Sequence, residues 1–283
     1  MMQVIHAPAE MYNQTMLLKM SGKKVGFVPT MGYLHKGHLE LLKFAREHCD
    51  SLVLSIFVNP TQFGPKEDYG SYPRDLERDK ELAAHARVDT IFLPDVDSMY
   101  PPGYRTFVEV EELSKGLCGA FRPGHFRGVA TIVCKLLNIV APDEAFFGEK
   151  DAQQLVIIRK MAQDLNMPVK ISGFPTVRDA DGLAMSSRNV YLSDEEREQA
   201  TGLYRALQNG RSLIEGGETE AARIDAAIRE AIARDVPAGV VEYVDIVDGN
   251  TLAPVSRTIG KTLIALAVRV GKARLIDNIR VGG

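Results

Sequence analysis

Long apolar runs are missing from this chain. No stretch approaches the ~20 residues a bilayer-crossing helix needs, so no membrane-embedded part is expected. An excess of positive charge is missing too. Its 34 Lys and Arg against 37 Asp and Glu leave a formal charge of −3, which gives no overall basic field for nucleic acid. Cysteine is scarce. Cys49, Cys118 and Cys134 are odd in number and far apart, which argues against a disulfide framework and fits a reducing cytoplasm. None sits in a sequence that would activate a thiolate, so buried structural thiols are expected. Residues 1–24 lack the basic–apolar–small order of a signal peptide. There is no internal repeat and no low-complexity segment. What is present is the composition of an ordinary globular protein of 283 residues, 45% hydrophobic, with material for a sizeable core and for two modest domains or one large one with an appendage.

The first part alternates strand and helix patterns. Val25–Val28 reads as a buried strand, and the nearly continuous apolar run 51–58 as a strand buried on both faces. Residues 90–93, 145–147 and 169–174 read as further strands. Helices are predicted over 39–49, 74–87, 128–140 and 152–166. Such alternation predicts an α/β fold, a doubly wound parallel sheet whose ligand site lies beyond the carboxyl ends of the strands. The pattern changes after about Tyr191. Ser193 and Glu196 form a capping-box start for a helix to about Ile214, broken by Gly216-Gly217. A second helix over 221–234 and strands over 240–247, 262–270 and 273–279 predict a smaller C-terminal α+β domain. The expected division is 1–175 and 176–283.

The chemistry gathers at the strand ends. After the first apolar strand comes Pro29-Thr30-Met31-Gly32-Tyr33-Leu34-His35-Lys36-Gly37-His38. A strand-to-helix junction presents free backbone N–H groups and the positive end of a helix dipole, which is where phosphates bind. Two imidazoles there suit stabilisation of charge on an α-phosphate and a leaving pyrophosphate. A metal pair is the rival, but no third ligand stands at a recognisable spacing. Ala184-Met185-Ser186-Ser187-Arg188 follows a turn-like Asp179–Gly182 and offers hydroxyls and a guanidinium to phosphate oxygens. Ser-Ser-Arg alone is a common surface sequence; paired with His-x-Gly-His it becomes specific. Gly148-Glu149-Lys150-Asp151-Ala152-Gln153-Gln154 opens another helix after a strand. Lys150 would be a point charge for phosphate, Asp151 either a cap or a ligand contact, and Gln154 would reach a small-molecule pocket from one turn in. Asn59 and Gln62 end the most apolar strand in a Pro- and Gly-rich turn suited to hydroxyl or carboxylate recognition. The segment Arg122–Gly128 is either an anionic pocket wall or a solvated loop. Asp79 reads as part of an exposed acidic helix start, with a magnesium contact as the alternative.

These segments resemble the pantoate–β-alanine ligases (pantothenate synthetases) over essentially the whole length. The resemblance rests on 29–38, 55–63, 122–128, 147–154 and 175–189. That family is a Rossmann-like nucleotidyltransferase group related to aminoacyl-tRNA synthetases with a His-x-Gly-His signature, and Met185–Arg188 looks like the group's second signature, ending in Arg188 instead of lysine. The resemblance implies that ATP and pantoate form a pantoyl-adenylate and pyrophosphate, and that β-alanine then displaces AMP to give pantothenate. It implies ATP contacts from Met31, Gly32, Tyr33, Leu34, His35, Lys36, Gly37 and His38, from Gly148, Glu149, Lys150 and Asp151, from Val177, and from Met185, Ser186, Ser187 and Arg188. His38 would be the proton donor, with His35, Lys150 and Arg188 as further catalytic groups. Gln62 and Gln154 would hold pantoate, Mg²⁺ would accompany ATP with Asp79 as its contact, and a cytoplasmic homodimer is implied. The smaller domain, with its Met185–Arg188 loop, would act as a lid. Three alternatives share parts of the pattern: transfer of a nucleotide to a phosphate, a non-catalytic nucleotide-binding module, and a tRNA ligase. The two glutamines and the lack of a second basic cluster count against the first, and the lack of a basic anticodon-binding extension counts against the last.

Overall fold

A computed structural model describes residues 2–65 and 67–282. In chain order the elements are β1 (Gln3–Ile5), α1 (Pro8–Met20), β2 (Val25–Thr30), α2 (Lys36–Arg46), β3 (Ser51–Ile56), α3 (Leu76–His85), β4 (Thr90–Phe92), α4 (Val96–Met99), α5 (Cys118–Phe121), α6 (His125–Val140), β5 (Glu144–Gly148), α7 (Ala152–Asp164), β6 (Lys170–Phe174), α8 (Asp194–Ala200), α9 (Gly202–Glu215), α10 (Ala221–Asp235), β7 (Gly239–Asp248), β8 (Thr262–Val270) and β9 (Ala273–Val281). The chain divides into two units. One comprises 1–114, 122–149 and 157–175, and the other comprises 115–121, 150–156 and 176–283.

The first unit carries a parallel sheet in the order β1-β4-β3-β2-β5-β6. The fully buried residues of β3 explain its unbroken apolar reading, since both faces are covered by helices. Leu41, Leu42 and Ala45 of α2 and Ala83 of α3 close one face against Val28, Leu52, Leu54, Ile91 and Phe146. From β2 the chain runs outward through β3 and β4, then returns to place β5 and β6 on the other flank. The carboxyl ends of β2 and β5 are therefore the topological switch point, where open α/β sheets bind ligands. The second unit pairs β7, β8 and β9 in an antiparallel sheet. Its core joins Leu203, Leu207, Ile224 and Ile228 of α9 and α10 to Ile264, Leu266 and Val268 of β8.

Three departures from the sequence pattern have local causes. β1 and α1 escape the pattern because β1 is short and α1 keeps Leu17 and Met20 exposed, so neither shows a clean apolar stripe. The long helix predicted over 193–214 is two helices, α8 and α9. The Thr201 hydroxyl donates to the Glu198 carbonyl at 2.7 Å where they join, a local bond that competes with helix continuation. α2 begins at Lys36, earlier than its apolar residues suggest, because histidines supply its cap.

Glu144, at the start of β5, is only 1% exposed. Burial raises its pKa, but Lys170 and Lys24, each at 2.8 Å, and the Ser172 hydroxyl at 2.6 Å outweigh burial and hold it down to about 2, against an ordinary 4.5. A depressed carboxylate stabilises the fold fully above its unfolded pKa and loses that contribution as pH falls towards the folded value. Glu144 is thus expected to stabilise the fold at neutral pH, a contribution lost between about pH 4.5 and 2. Chemical unfolding of Glu144→Gln across pH 7 to 3 should show lower stability at neutrality and a flatter acid limb; parallel curves for the two proteins would contradict this.

Candidate active site

In the first unit, β2 delivers the chain into a turn with two consecutive positive φ angles, +81° at Gly32 and +51° at Tyr33. A Cβ on Gly32 would stand 2.9 Å from an Asp79 carboxylate oxygen and 2.9 Å from Ile56, so glycine is required by both conformation and space. The same Asp79 holds the turn. Its two carboxylate oxygens accept the backbone N–H of Tyr33 at 2.7 Å and of Leu34 at 2.6 Å. Asp79 is 1% exposed, and burial pushes its carboxyl above the ordinary value while the two N–H donors pull it back. Sequence placed Asp79 in an exposed acidic helix start or on magnesium. The structure corrects the exposure and gives both oxygens to the loop backbone. Among the described residues no group of three or more His, Cys, Asp or Glu could hold a metal ion.

The turn ends in a reciprocal cap. His35 is the N-cap of α2, and its Nδ1 accepts the Gly37 N–H at 3.1 Å, while His38 Nδ1 accepts the His35 N–H at 3.3 Å. This is a capping box built from imidazoles instead of Ser and Glu. The rings lie 4.0 Å apart between centroids. Because each Nδ1 accepts, each neutral ring carries its proton on Nε2, an assignment that follows from the bonding pattern. The pair therefore presents N–H donors on the Nε2 edges, at a helix N-terminus.

Gln62 belongs to a short 3₁₀ turn, Pro60–Gln62, capped by Asn59. Asn59 Nδ2 donates to Gln62 Oε1 at 3.1 Å and to the Gly128 carbonyl at 3.2 Å. Asn59 Oδ1 accepts the Tyr100 hydroxyl at 2.8 Å. Burial pushes the Tyr100 phenol up to about 12, so it stays a donor. Gln62 Nε2 meets Met31 Sδ at 3.1 Å, which brings two sequence candidates together. The Gln62 carbonyl accepts from His125 Nδ1 at 2.8 Å and from Arg122 at 3.2 Å, and Arg122 also pairs with Glu67. Arg122 is thus a support for the Gln62 turn, not a solvated loop cation. Gly128 allows the approach of α6: a Cβ there would lie 2.3 Å from the Thr61 carbonyl oxygen. Gly148 ends β5, the neighbour of β2, and Glu149 follows it, at the switch point.

The second unit holds the other candidates. Lys150 and Ser186 line one small cavity together with Asn189 and Asp277. The Met185 N–H donates to the Val177 carbonyl at 3.0 Å, which joins those two candidates in a hairpin. Ser186 caps the turn Ser187–Tyr191 by accepting the Arg188 N–H at 3.3 Å; Ser187 is buried. Asp151 ends a 3₁₀ turn ahead of α7. Gln154 is half-buried in the first turn of α7. Its neighbour Gln153 is buried and braces the backbone of Cys118 at 3.0 Å and Gly116 at 2.8 Å. Residues without a sequence signal but with a clear part here are Tyr100, Arg178, Asp277 and Asn278; each acts through partners distant in the chain.

A family model described as pantoate-beta-alanine ligase matches residues 3–280. The chain is 58% identical to a pantothenate synthetase of Heliobacterium modesticaldum, over 99% of each sequence. It is 53% identical to that of Moorella thermoacetica over 98% of each. The crystal structure of pantothenate synthetase from Thermus thermophilus matches with a TM-score of 0.93 at 48% identity, covering 100% of both chains. The pantoate-beta-alanine ligase of Francisella tularensis, complexed with beta-gamma ATP and beta-alanine, matches with a TM-score of 0.82 at 34% identity, over 99% of this chain and 97% of that one.

Proposed function

The chain belongs to the pantoate–β-alanine ligase family, and from that premise we propose how its residues carry the reaction. The enzyme is an AMP-forming ligase. It joins pantoate to β-alanine with ATP and yields pantothenate, AMP and pyrophosphate through a pantoyl-adenylate.

In the first step a pantoate carboxylate oxygen bonds to the α-phosphorus and the bond to pyrophosphate breaks. No covalent help from the protein is needed; alignment and charge stabilisation are. His35 and His38 donate from Nε2 to oxygens on which charge grows, with His38 serving the α-phosphate. Lys150 and Arg188 neutralise the departing pyrophosphate. The backbone of Met31–His38, Gly148–Asp151 and Met185–Arg188 seats the phosphates, and Val177 meets adenine through its backbone. Gln62 and Gln154 hold pantoate. The Gln62 amide now rests on a thioether, a weak acceptor that a substrate oxygen replaces readily. In the second step the β-alanine ammonium first gives a proton to water, the free amine bonds to the acyl carbon, the bond to AMP breaks, and the second proton on the nitrogen passes to solvent. Mg²⁺ would accompany the triphosphate and offset its charge; Asp79, with both oxygens engaged by backbone N–H groups, fits poorly as its contact. Among the described residues no helix is long and apolar enough to cross a membrane. A cytoplasmic homodimer completes the reading by family resemblance.

The observation that carries this assignment is the histidine cap. It uses both Nδ1 atoms on the backbone and so commits the Nε2 edges to donation at the switch point. The test is exchange of labelled pyrophosphate into ATP. It should require pantoate and Mg²⁺ and proceed without β-alanine, and mass spectrometry should find pantothenate and AMP only when β-alanine is added. Exchange without pantoate, or an absolute need for β-alanine in exchange, would overturn the two-step assignment.

A further inference from the structure

The last strand carries two adjacent buried polar residues among apolar neighbours. Asp277 is 5% exposed and Asn278 is 8% exposed, between Leu275 and Ile279. Successive strand residues point to opposite faces, so each needs its own partner, because a buried polar group without one is costly. Asn278's partner, Lys150, is itself assigned above to ATP, and Asp277's partner, Arg178, sits in the hairpin between the assigned Val177 and Met185–Arg188.

Asp277 takes Arg178 bidentately, at 2.6 and 2.8 Å. The guanidinium is fixed further by the Tyr204 ring, 3.6 Å from its carbon to the ring centroid, and by donation to the Gly182 carbonyl at 3.1 Å. Arg178 opens the hairpin that delivers Met185–Arg188. It bridges to Ala184, with Asp179 N–H on the Leu183 carbonyl and Met185 N–H on the Val177 carbonyl. Outside this hairpin, Arg197 ties Asp179 and Asp181 to α8. Asn278 does the matching task for the other segment, its Nδ2 donating to the Lys150 carbonyl at 2.8 Å. The Asp277 carboxylate also locks the register of the pair by accepting the Asn278 N–H at 2.8 Å.

We infer that Asp277 and Asn278 are positioning residues for adenylation. They act from one point on β9, on the Met185–Arg188 hairpin through Arg178 and on the Lys150 backbone through its carbonyl. A buried ion pair is a poor way to gain stability, since apolar residues of equal volume often do as well or better. A bidentate fork stacked on an aromatic ring, however, defines an orientation. The inference rests on the proposed ATP contacts of Lys150 and Met185–Arg188.

The test compares folded Asn278→Ala, Asp277→Asn and Arg178→Lys with Lys150→Ala in pantoate-dependent pyrophosphate exchange, with thermal unfolding recorded for each. Arg178→Lys keeps the charge and loses the fork, and it reads the same pair if either strand variant fails to fold. Loss of positioning is expected to raise the ATP KM and lower the exchange rate by about tenfold each, with the pantoate KM held within about twofold. Equal rises in both KM values that follow the loss of thermal stability would assign the pair to general stability and overturn the inference. So would exchange kinetics within about twofold of the parent in the folded variants while Lys150→Ala is impaired. Unimpaired Lys150→Ala would instead remove the ATP assignment on which the inference stands.

Discussion

His38→Ala is expected to lower pantoate-dependent pyrophosphate exchange by about two to three orders of magnitude, the usual effect of removing one preorganised donor from a developing charge. The ATP KM should change far less, because the lost interaction strengthens in the transition state. The structure complicates the simple variant, since His38 has two tasks. Its Nδ1 caps the His35 N–H, and loss of a helix cap costs about 1 kcal/mol. Two further replacements separate the tasks. Asn places an acceptor near the position of Nδ1 and has nothing at Nε2; Gln places an amide near Nε2 and leaves the cap unfilled. If the Nε2 donor carries the chemistry, His38→Asn should be as slow as His38→Ala but more stable, and His38→Gln should recover part of the rate. Full recovery by Asn would show that the cap alone matters and that His38 donates nothing to the phosphate.

The parts of this molecule that follow local rules were legible in its sequence. The buried run of β3 reads as a strand because every residue is covered. The His-x-Gly-His turn reads as a strand-to-helix junction because strand, turn and helix follow in order. The parts that failed to show depend on contacts with distant segments. Asp79 binds backbone groups 45 and 46 residues away, and a main-chain partner leaves no trace in residue types. Arg178 and Asp277 are separated by 99 residues, and each alone looks like an ordinary charge. Arg122 could be read either way because its partners, Glu67 and the Gln62 carbonyl, come from a different turn. Gln153 and Gln154 are identical in type and adjacent, and only the 100° helical step between them sends one into a brace for Cys118 and Gly116. The segment 150–156 grouping with 176–283 is a property of packing in the same sense.

Asp79 variants should produce the second large effect, on geometry instead of donation. The turn it holds is strained, because a non-glycine residue in the left-handed region, as at Tyr33, costs on the order of 1 kcal/mol or more. A buried N–H deprived of its acceptor costs about 1–3 kcal/mol, and Asp79→Ala deprives two. Asp79→Ala is therefore expected to lose about 2–6 kcal/mol of stability, read as a lower denaturant midpoint. Asp79→Asn is nearly isosteric and gentler: its oxygen keeps one N–H, but its amide presents a donor to the other. With one of the two bonds gone, the backbone before His35 relaxes. Displacement of a reacting group by about 1 Å is worth about a hundredfold in rate, so Asp79→Asn should lower exchange by about that factor while remaining folded. Titration with Mg²⁺ then separates the clamp from the metal contact suggested by sequence. A clamp variant keeps the parental Mg²⁺ requirement at its reduced rate. A variant lacking a metal ligand needs more Mg²⁺ and recovers rate as the ion is raised, and that recovery would return Asp79 to the metal.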